Sequence, residues 1–141
     1  MRDKWDKRFM EMAELVASWS RDPSTKTGAV LVRSDNSVAS VGFNGFPRGM
    51  DDNEELYLDR EIKYSRIVHC EINAQLHCHE CLNGYTLYTW PFLSCDRCAV
   101  QMIQAGIVRM VAPRNDAERW QEAFKRTRAF CAEAGVELLE L

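Results

Sequence analysis

Trp5, Phe9, Met12, Ala13, Val16 and Trp19 recur at intervals of three and four residues. That is the period of one helix face, so residues 6–19 are predicted to form an amphipathic helix whose apolar stripe packs on a sheet. After the break at Arg21-Asp22-Pro23-Ser24 come Gly28-Ala29-Val30-Leu31-Val32, the turn residues Ser34-Asp35-Asn36-Ser37, and Val38-Ala39-Ser40-Val41-Gly42-Phe43. The pattern predicts a hairpin of two antiparallel strands. No period survives over residues 44–65, and Asn44-Gly45-Phe46-Pro47-Arg48-Gly49 is rich in structure breakers, which predicts a long functional loop.

Periodicity returns as a helix near residues 69–77, a turn at Asn83-Gly84 and a strand over 85–90. A helix over 96–105 stops at Gly106, and a short strand over 108–112 ends at Pro113. Trp120, Ala123, Phe124, Thr127, Cys131 and Ala134 mark a last helix before Gly135 and a final strand over 136–141. The order αββαβαβαβ implies an α/β fold, a mixed sheet with helices on both faces, because parallel strands need crossover helices. With no internal repeat or linker, residues 1–141 read as a single domain.

Composition narrows the function classes. Hydrophobic residues make up 46% and charged residues 28% of the 141, which excludes a disordered or low-complexity chain. The formal net charge of -3 offers no general attraction for long nucleic acids. The stretch Met1-Arg2-Asp3-Lys4-Trp5-Asp6-Lys7-Arg8 has no apolar h-region, and no apolar run is long enough to span a bilayer. The expectation is a soluble, cytoplasmic protein without a membrane partner. In that compartment the six cysteines are thiols or metal ligands rather than a disulfide framework.

Two short runs can carry chemistry, His69-Cys70-Glu71 and Cys95-Asp96-Arg97-Cys98, each at a predicted helix start. Cys95 and Cys98 are three apart, which on a helix separates their directions by about 60° and places both sulfurs on one face. His69 and Glu71 are two apart and would point to nearly opposite sides of a regular helix, so a site using both lies at the helix's N-terminal end. Partial positive charge there favours thiolates and lowers the proton cost of binding metal. One His and two Cys leave a fourth tetrahedral position for water, which marks a catalytic rather than a structural Zn2+. Two thiolates soften the Lewis acidity of the ion, so a neighbouring base is required, and Glu71 fits that role.

The H-x-E of residues 69–71 followed by the C-x-x-C of 95–98 resembles the zinc-dependent nucleobase deaminases, whose signature is H-x-E…P-C-x-x-C with the Glu as general acid/base. The stretches Arg21-Asp22-Pro23-Ser24-Thr25-Lys26-Thr27-Gly28-Ala29-Val30 and Gly42-Phe43-Asn44-Gly45-Phe46-Pro47-Arg48-Gly49 look like the deoxycytidylate (dCMP) deaminase branch, and the likeness runs from about Trp5 to Val136. It implies a cytidine-deaminase-like three-layer α/β/α sandwich with a five-stranded mixed sheet. It also implies hydrolysis of dCMP to dUMP and ammonia, at a cyclic amidine C–N bond. By the resemblance His69, Cys95 and Cys98 hold zinc, Glu71 shuttles protons to N3 and the departing amine, and Asn44 hydrogen-bonds the sugar. Family members are often hexamers activated by dCTP and inhibited by dTTP. The resemblance therefore implies a homo-oligomer, hexamer or dimer, and a regulatory loop holding Gly45, Phe46 and Arg48.

Two positions depart from the family pattern. Pro91 precedes Cys95 by four residues instead of one, and Cys70 replaces the common Ala between His69 and Glu71, with its thiol expected to point away from the metal. His77, Cys78, His79 and Cys81 resemble a second metal cluster. Four candidates within five positions cannot all converge on one ion, so they read as a helix end with incidental thiols. Ser24, Lys26, Arg48 and Arg114 are candidates for a 5′-phosphate, with solvated surface charge the commoner role of any one of them, and Trp90 and Phe92 are candidates for stacking on the base, with core packing the commoner role of a strand-end aromatic. Trp5, Phe9, Trp19, Trp120 and Phe124 are assigned to packing. The alternatives are a deaminase of another cytosine nucleoside or nucleotide or of tRNA adenosine, or a zinc-binding regulatory subunit without turnover.

Overall fold

The computed structural model describes residues 2–141, and the predicted element order is present in it, with two helices added. Arg2–Ala17 forms α1, Gly28–Val32 β1, Val38–Phe43 β2, Glu54–Leu58 α2, Arg60–Arg66 α3 and Cys70–Leu76 α4. Thr86–Trp90 forms β3, Asp96–Gln104 α5, Arg109–Ala112 β4, Gln121–Ala134 α6 and Glu137–Glu140 β5, with a single 3-10 turn at Glu118–Trp120 before α6. The strands lie in the order β2-β1-β3-β4-β5. β1 runs antiparallel to β2 and β3, whereas β3, β4 and β5 are mutually parallel. This is the expected five-stranded mixed sheet.

Alternation along β1 divides the core into two layers. Ala29 and Leu31 face Cys70 and Ala74 of α4 and Ala99 and Met102 of α5. Val30 and Val32 face Phe9, Met10 and Ala13 of α1. Burial on both faces explains why β1 reads as an unbroken apolar run. Cys131 of α6 joins the layer of α4 and α5, so α1 covers one face and α4, α5 and α6 cover the opposite one.

Two glycines let helices approach the sheet closely. A Cβ on Gly28 would lie 2.2 Å from the Ala13 carbonyl oxygen of α1, and one on Gly42 would lie 2.3 Å from the Ala74 nitrogen and 2.6 Å from the Cys70 oxygen of α4. Gly42 therefore sets how deeply α4, which carries the H-x-E run, sits on β2.

The predicted loop over 44–65 needs correction, because its second half contains α2 and α3. Asn53 caps α2 by accepting from the Glu55 N–H, and Asp59 caps α3 by accepting from the Ile62 N–H. At 5 and 7 residues, neither helix is long enough to display an apolar period. The signal that marks them is the pair of caps, each followed by acidic first-turn residues. Among the described residues, no helix is long and apolar enough to cross a membrane.

Candidate active site

Both chemistry-bearing runs sit at helix starts. His69 is the N-cap of α4 and makes no side-chain capping bond, which leaves its ring nitrogens available. Cys95 is the N-cap of α5 and accepts from the Cys98 N–H at 3.5 Å. The ring Nδ1 of His69 lies 3.2 Å from Cys98 Sγ and 3.6 Å from Cys95 Sγ. A tetrahedral zinc with bonds of about 2.3 Å to sulfur and about 2.0 Å to nitrogen has N···S edges of about 3.6 Å. The two N···S distances stand near that spacing and all three donors lie within 4.8 Å of one another, so the residues fit the ion.

Among the described residues this trio is the one group of His, Cys, Asp or Glu ligands gathered to within 4.8 Å. Their electrostatics suit metal binding too. A hydrogen bond from the Cys98 thiol, helped by His69, outweighs burial and lowers the Cys95 thiol to about 4, while Cys98, as the buried donor, is shifted upward. His69 is raised by its contact with Cys95, against the opposing effect of burial. A lowered thiol at Cys95 favours the thiolate form that binds a metal cation.

Glu71, second residue of α4, is buried, and its Oε1 accepts from the Cys70 thiol at 3.0 Å. Cys70 is buried against Ala29, Leu31 and Ala74, and burial pushes its thiol well above the ordinary value. The thiol is thus a donor to Glu71 and not part of the ligand trio, as expected for a side chain pointing away from the metal.

These groups open into a cavity of about 420 Å³, within the usual range for small-molecule sites. Trp90, Phe92, Trp120 and Tyr64 supply aromatic wall. Ser24, Asn44, Trp90 and Phe92 line the cavity. The Asn44 amide is committed locally: its Oδ1 accepts from Thr27 N–H at 2.9 Å, and its Nδ2 donates to the Thr25 carbonyl and to Asp22. Lys26 is a correction. It is exposed, lies outside the cavity lining, and its Nζ donates to the Ser20 carbonyl, since the 22–27 turn points it away. Arg48 and Arg114 are likewise exposed and outside the lining. Gly45 pairs with Val68, and Phe46 stacks on Tyr57 with ring centroids 3.9 Å apart, beneath α2. Trp120, assigned to packing, also lines the cavity.

The cations that do face the cavity come from elements the sequence reading missed. Lys63 of α3 donates to Asp22 at 2.7 Å and to the Ser24 hydroxyl at 3.0 Å. Asp22 is fully buried and also accepts from Ser24 N–H, Ser24 Oγ and Thr25 N–H. Burial acts to raise its carboxyl, but these bonds, led by Lys63, hold it below the usual carboxylate range. Arg60 and Arg119 line the same cavity, the first lying over the Tyr64 ring and the second over Trp120. Neither has a carboxylate within ion-pair distance among the described residues. Basic residues in such short helical turns carry no local mark that separates them from solvated surface charge, so only α3 and the 3-10 turn reveal them.

Comparison with known proteins agrees with this geometry. The family model described as "Cytidine and deoxycytidylate deaminase zinc-binding region" matches residues 3–113. An uncharacterized deaminase in the luxG 3′ region of Aliivibrio fischeri is 42% identical over 141 residues, covering 98% of this chain and 94% of that protein. The human deoxycytidylate deaminase is 34% identical over 116 residues, covering 77% of this chain and 64% of its own length. The crystal structure of dCMP deaminase from the cyanophage S-TIM5 in apo form shares the fold, with a TM-score of 0.79, 24% identity and full coverage of both chains. With the match spanning most of the length and the His, Glu and two Cys gathered at paired helix starts, the chain belongs to the zinc-binding cytidine and deoxycytidylate deaminase family.

Proposed function

We propose that this chain hydrolyses dCMP to dUMP and ammonia, with His69, Cys95 and Cys98 holding the zinc ion and Glu71 moving the protons. The observation that carries the reading is one cavity lined by His69 and Cys95 of the three-donor group, by the buried Glu71 carboxylate and by the guanidiniums of Arg60 and Arg119. The S-TIM5 enzyme, whose structure in complex with dCMP and dUMP shares this fold with a TM-score of 0.77, supports it.

When bound, the ion supplies the Lewis acidity that lets water act as a nucleophile near neutral pH. The residues of the chain do the rest. Glu71 accepts a proton from the attacking water, passes it to N3 as water oxygen bonds to C4, and then carries the proton of the new C4 hydroxyl to the amine as the C4–N4 bond breaks and C4=O forms. Water and dCMP are consumed, dUMP and ammonia are released, and no oxidant or reductant is involved. The aromatic wall of Trp90, Phe92 and Trp120 supports a place for the base, and Arg60 and Arg119 support recognition of the phosphate dianion. Asn44 and Ser24 complete the nucleotide site through the bonds that shape the 22–27 turn.

The test is ammonia release from dCMP by zinc-loaded protein, with Glu71→Ala beside it. The expected result is turnover by the native chain and none by the variant, at equal zinc content. A native chain inert on dCMP, or a variant that turns over normally, overturns the reading.

A further inference from the structure

We infer that Cys70 is a positioning residue for Glu71, a role resting on the proposed deaminase activity: its thiol holds one carboxylate oxygen so that the other carries the proton. Among the described residues, the Cys70 thiol is the one donor hydrogen-bonded to the Glu71 carboxylate, Sγ to Oε1 at 3.0 Å. A buried carboxylate with a single donor has two near-equivalent oxygens that exchange by a half-turn about the terminal torsion, and only one can face a reacting atom. The thiol breaks that equivalence. Oε1 is engaged, and Oε2 is left for the water proton and for N3.

The thiol itself is held by the core. Cys70 is 3% exposed, and its body packs with Ala29 and Leu31 of β1 and Ala74 one turn further along α4. Gly42 brings α4 down onto β2 at this same residue, where a Cβ would strike the Cys70 carbonyl. The rigidity of the sheet thus passes through Cys70 to a carboxylate that no other donor orients.

Two variants separate orientation from packing: Cys70→Ala removes the donor, and Cys70→Ser keeps one. Expected for Cys70→Ala is a kcat on dCMP lowered about tenfold, as for a slightly misplaced catalytic group, with KM and zinc content unchanged. Cys70→Ser is expected to restore kcat to near the native value. Equal kcat in native and Cys70→Ala proteins overturns the inference. So does a Cys70→Ser variant as slow as Cys70→Ala, or a parallel loss of zinc. A crystal structure of Cys70→Ala provides a readout independent of turnover. The Glu71 carboxylate is expected in more than one orientation, and a single unchanged orientation refutes the role even if dCMP proves not to be the substrate.

Discussion

Lys63→Met is the perturbation that most directly tests how the cavity is held together. It removes the ammonium that lies 2.7 Å from a fully buried carboxylate, Asp22, and that joins α3 to the turn before β1. Breaking a buried ion pair from one side costs about 3–5 kcal/mol, because the remaining charge stays desolvated. Asp22 keeps bonds from Ser24, Thr25 and Asn44, which places the expected loss at the lower end, about 3 kcal/mol. For 141 residues the unfolding entropy is about 0.3 kcal/mol/K, so Tm of the zinc-saturated protein should fall by about 10 °C.

The double variant Lys63→Met/Asp22→Asn should lose less than the sum of the two single losses, since it no longer buries a lone charge. The sign of the pH dependence follows from the lowered Asp22 carboxyl. Its contribution is present above the unfolded value of about 3.9 and disappears as pH falls through the lower native value. In Lys63→Met the native value moves back toward the unfolded one, so Tm should fall less between pH 6 and pH 3 than in the native chain. Thermal unfolding followed by circular dichroism reads both effects. A fall in Tm under about 3 °C, or strictly additive single losses, would refute the idea that this pair is a desolvated latch.

Other outcomes follow from the same geometry. Arg60→Ala and Arg119→Ala should each raise KM for dCMP by about tenfold while leaving turnover of deoxycytidine unchanged, as expected when a charge-assisted bond to phosphate is lost. Parallel effects on both substrates in steady-state assays would remove the two guanidiniums from phosphate recognition. Gly42→Ala should push α4 off β2, lowering both Tm and kcat, because its Cβ would meet helix backbone at 2.3 Å. A variant that retains native kcat and Tm would show that α4 has room the structure does not indicate.

Most of the architecture is legible in the residues alone because it rests on local signals. Short apolar runs bounded by turn residues mark the strands of the sheet, and three-four periods with start and stop residues mark the helices α1, α4, α5 and α6. The metal cage is legible for a similar reason. A His at one helix start and a Cys-x-x-Cys at another restrict the donor directions so narrowly that spacing alone points to three-ligand zinc. Glu71 follows because it is two residues from a ligand. The charged residues that line the cavity were not legible in this way. Lys26 sits close in sequence to Ser24 and Thr27, yet the turn directs it to the Ser20 carbonyl outside the cavity.

The sequence by itself determined the sheet, the helices that begin at His69 and Cys95, and the donor set those starts present. Each is decided by periodicity, capping and residue chemistry within a few positions along the chain. Only the tertiary structure decided which cations line the cavity, that Lys63 closes on Asp22 across 41 positions, and that a core thiol is hydrogen-bonded to the Glu71 carboxylate. Those facts depend on how α3 and α4 are set against the turn before β1 and the edge of the sheet. A side chain's partner at long range is fixed by the packing of whole elements, and no local pattern encodes it.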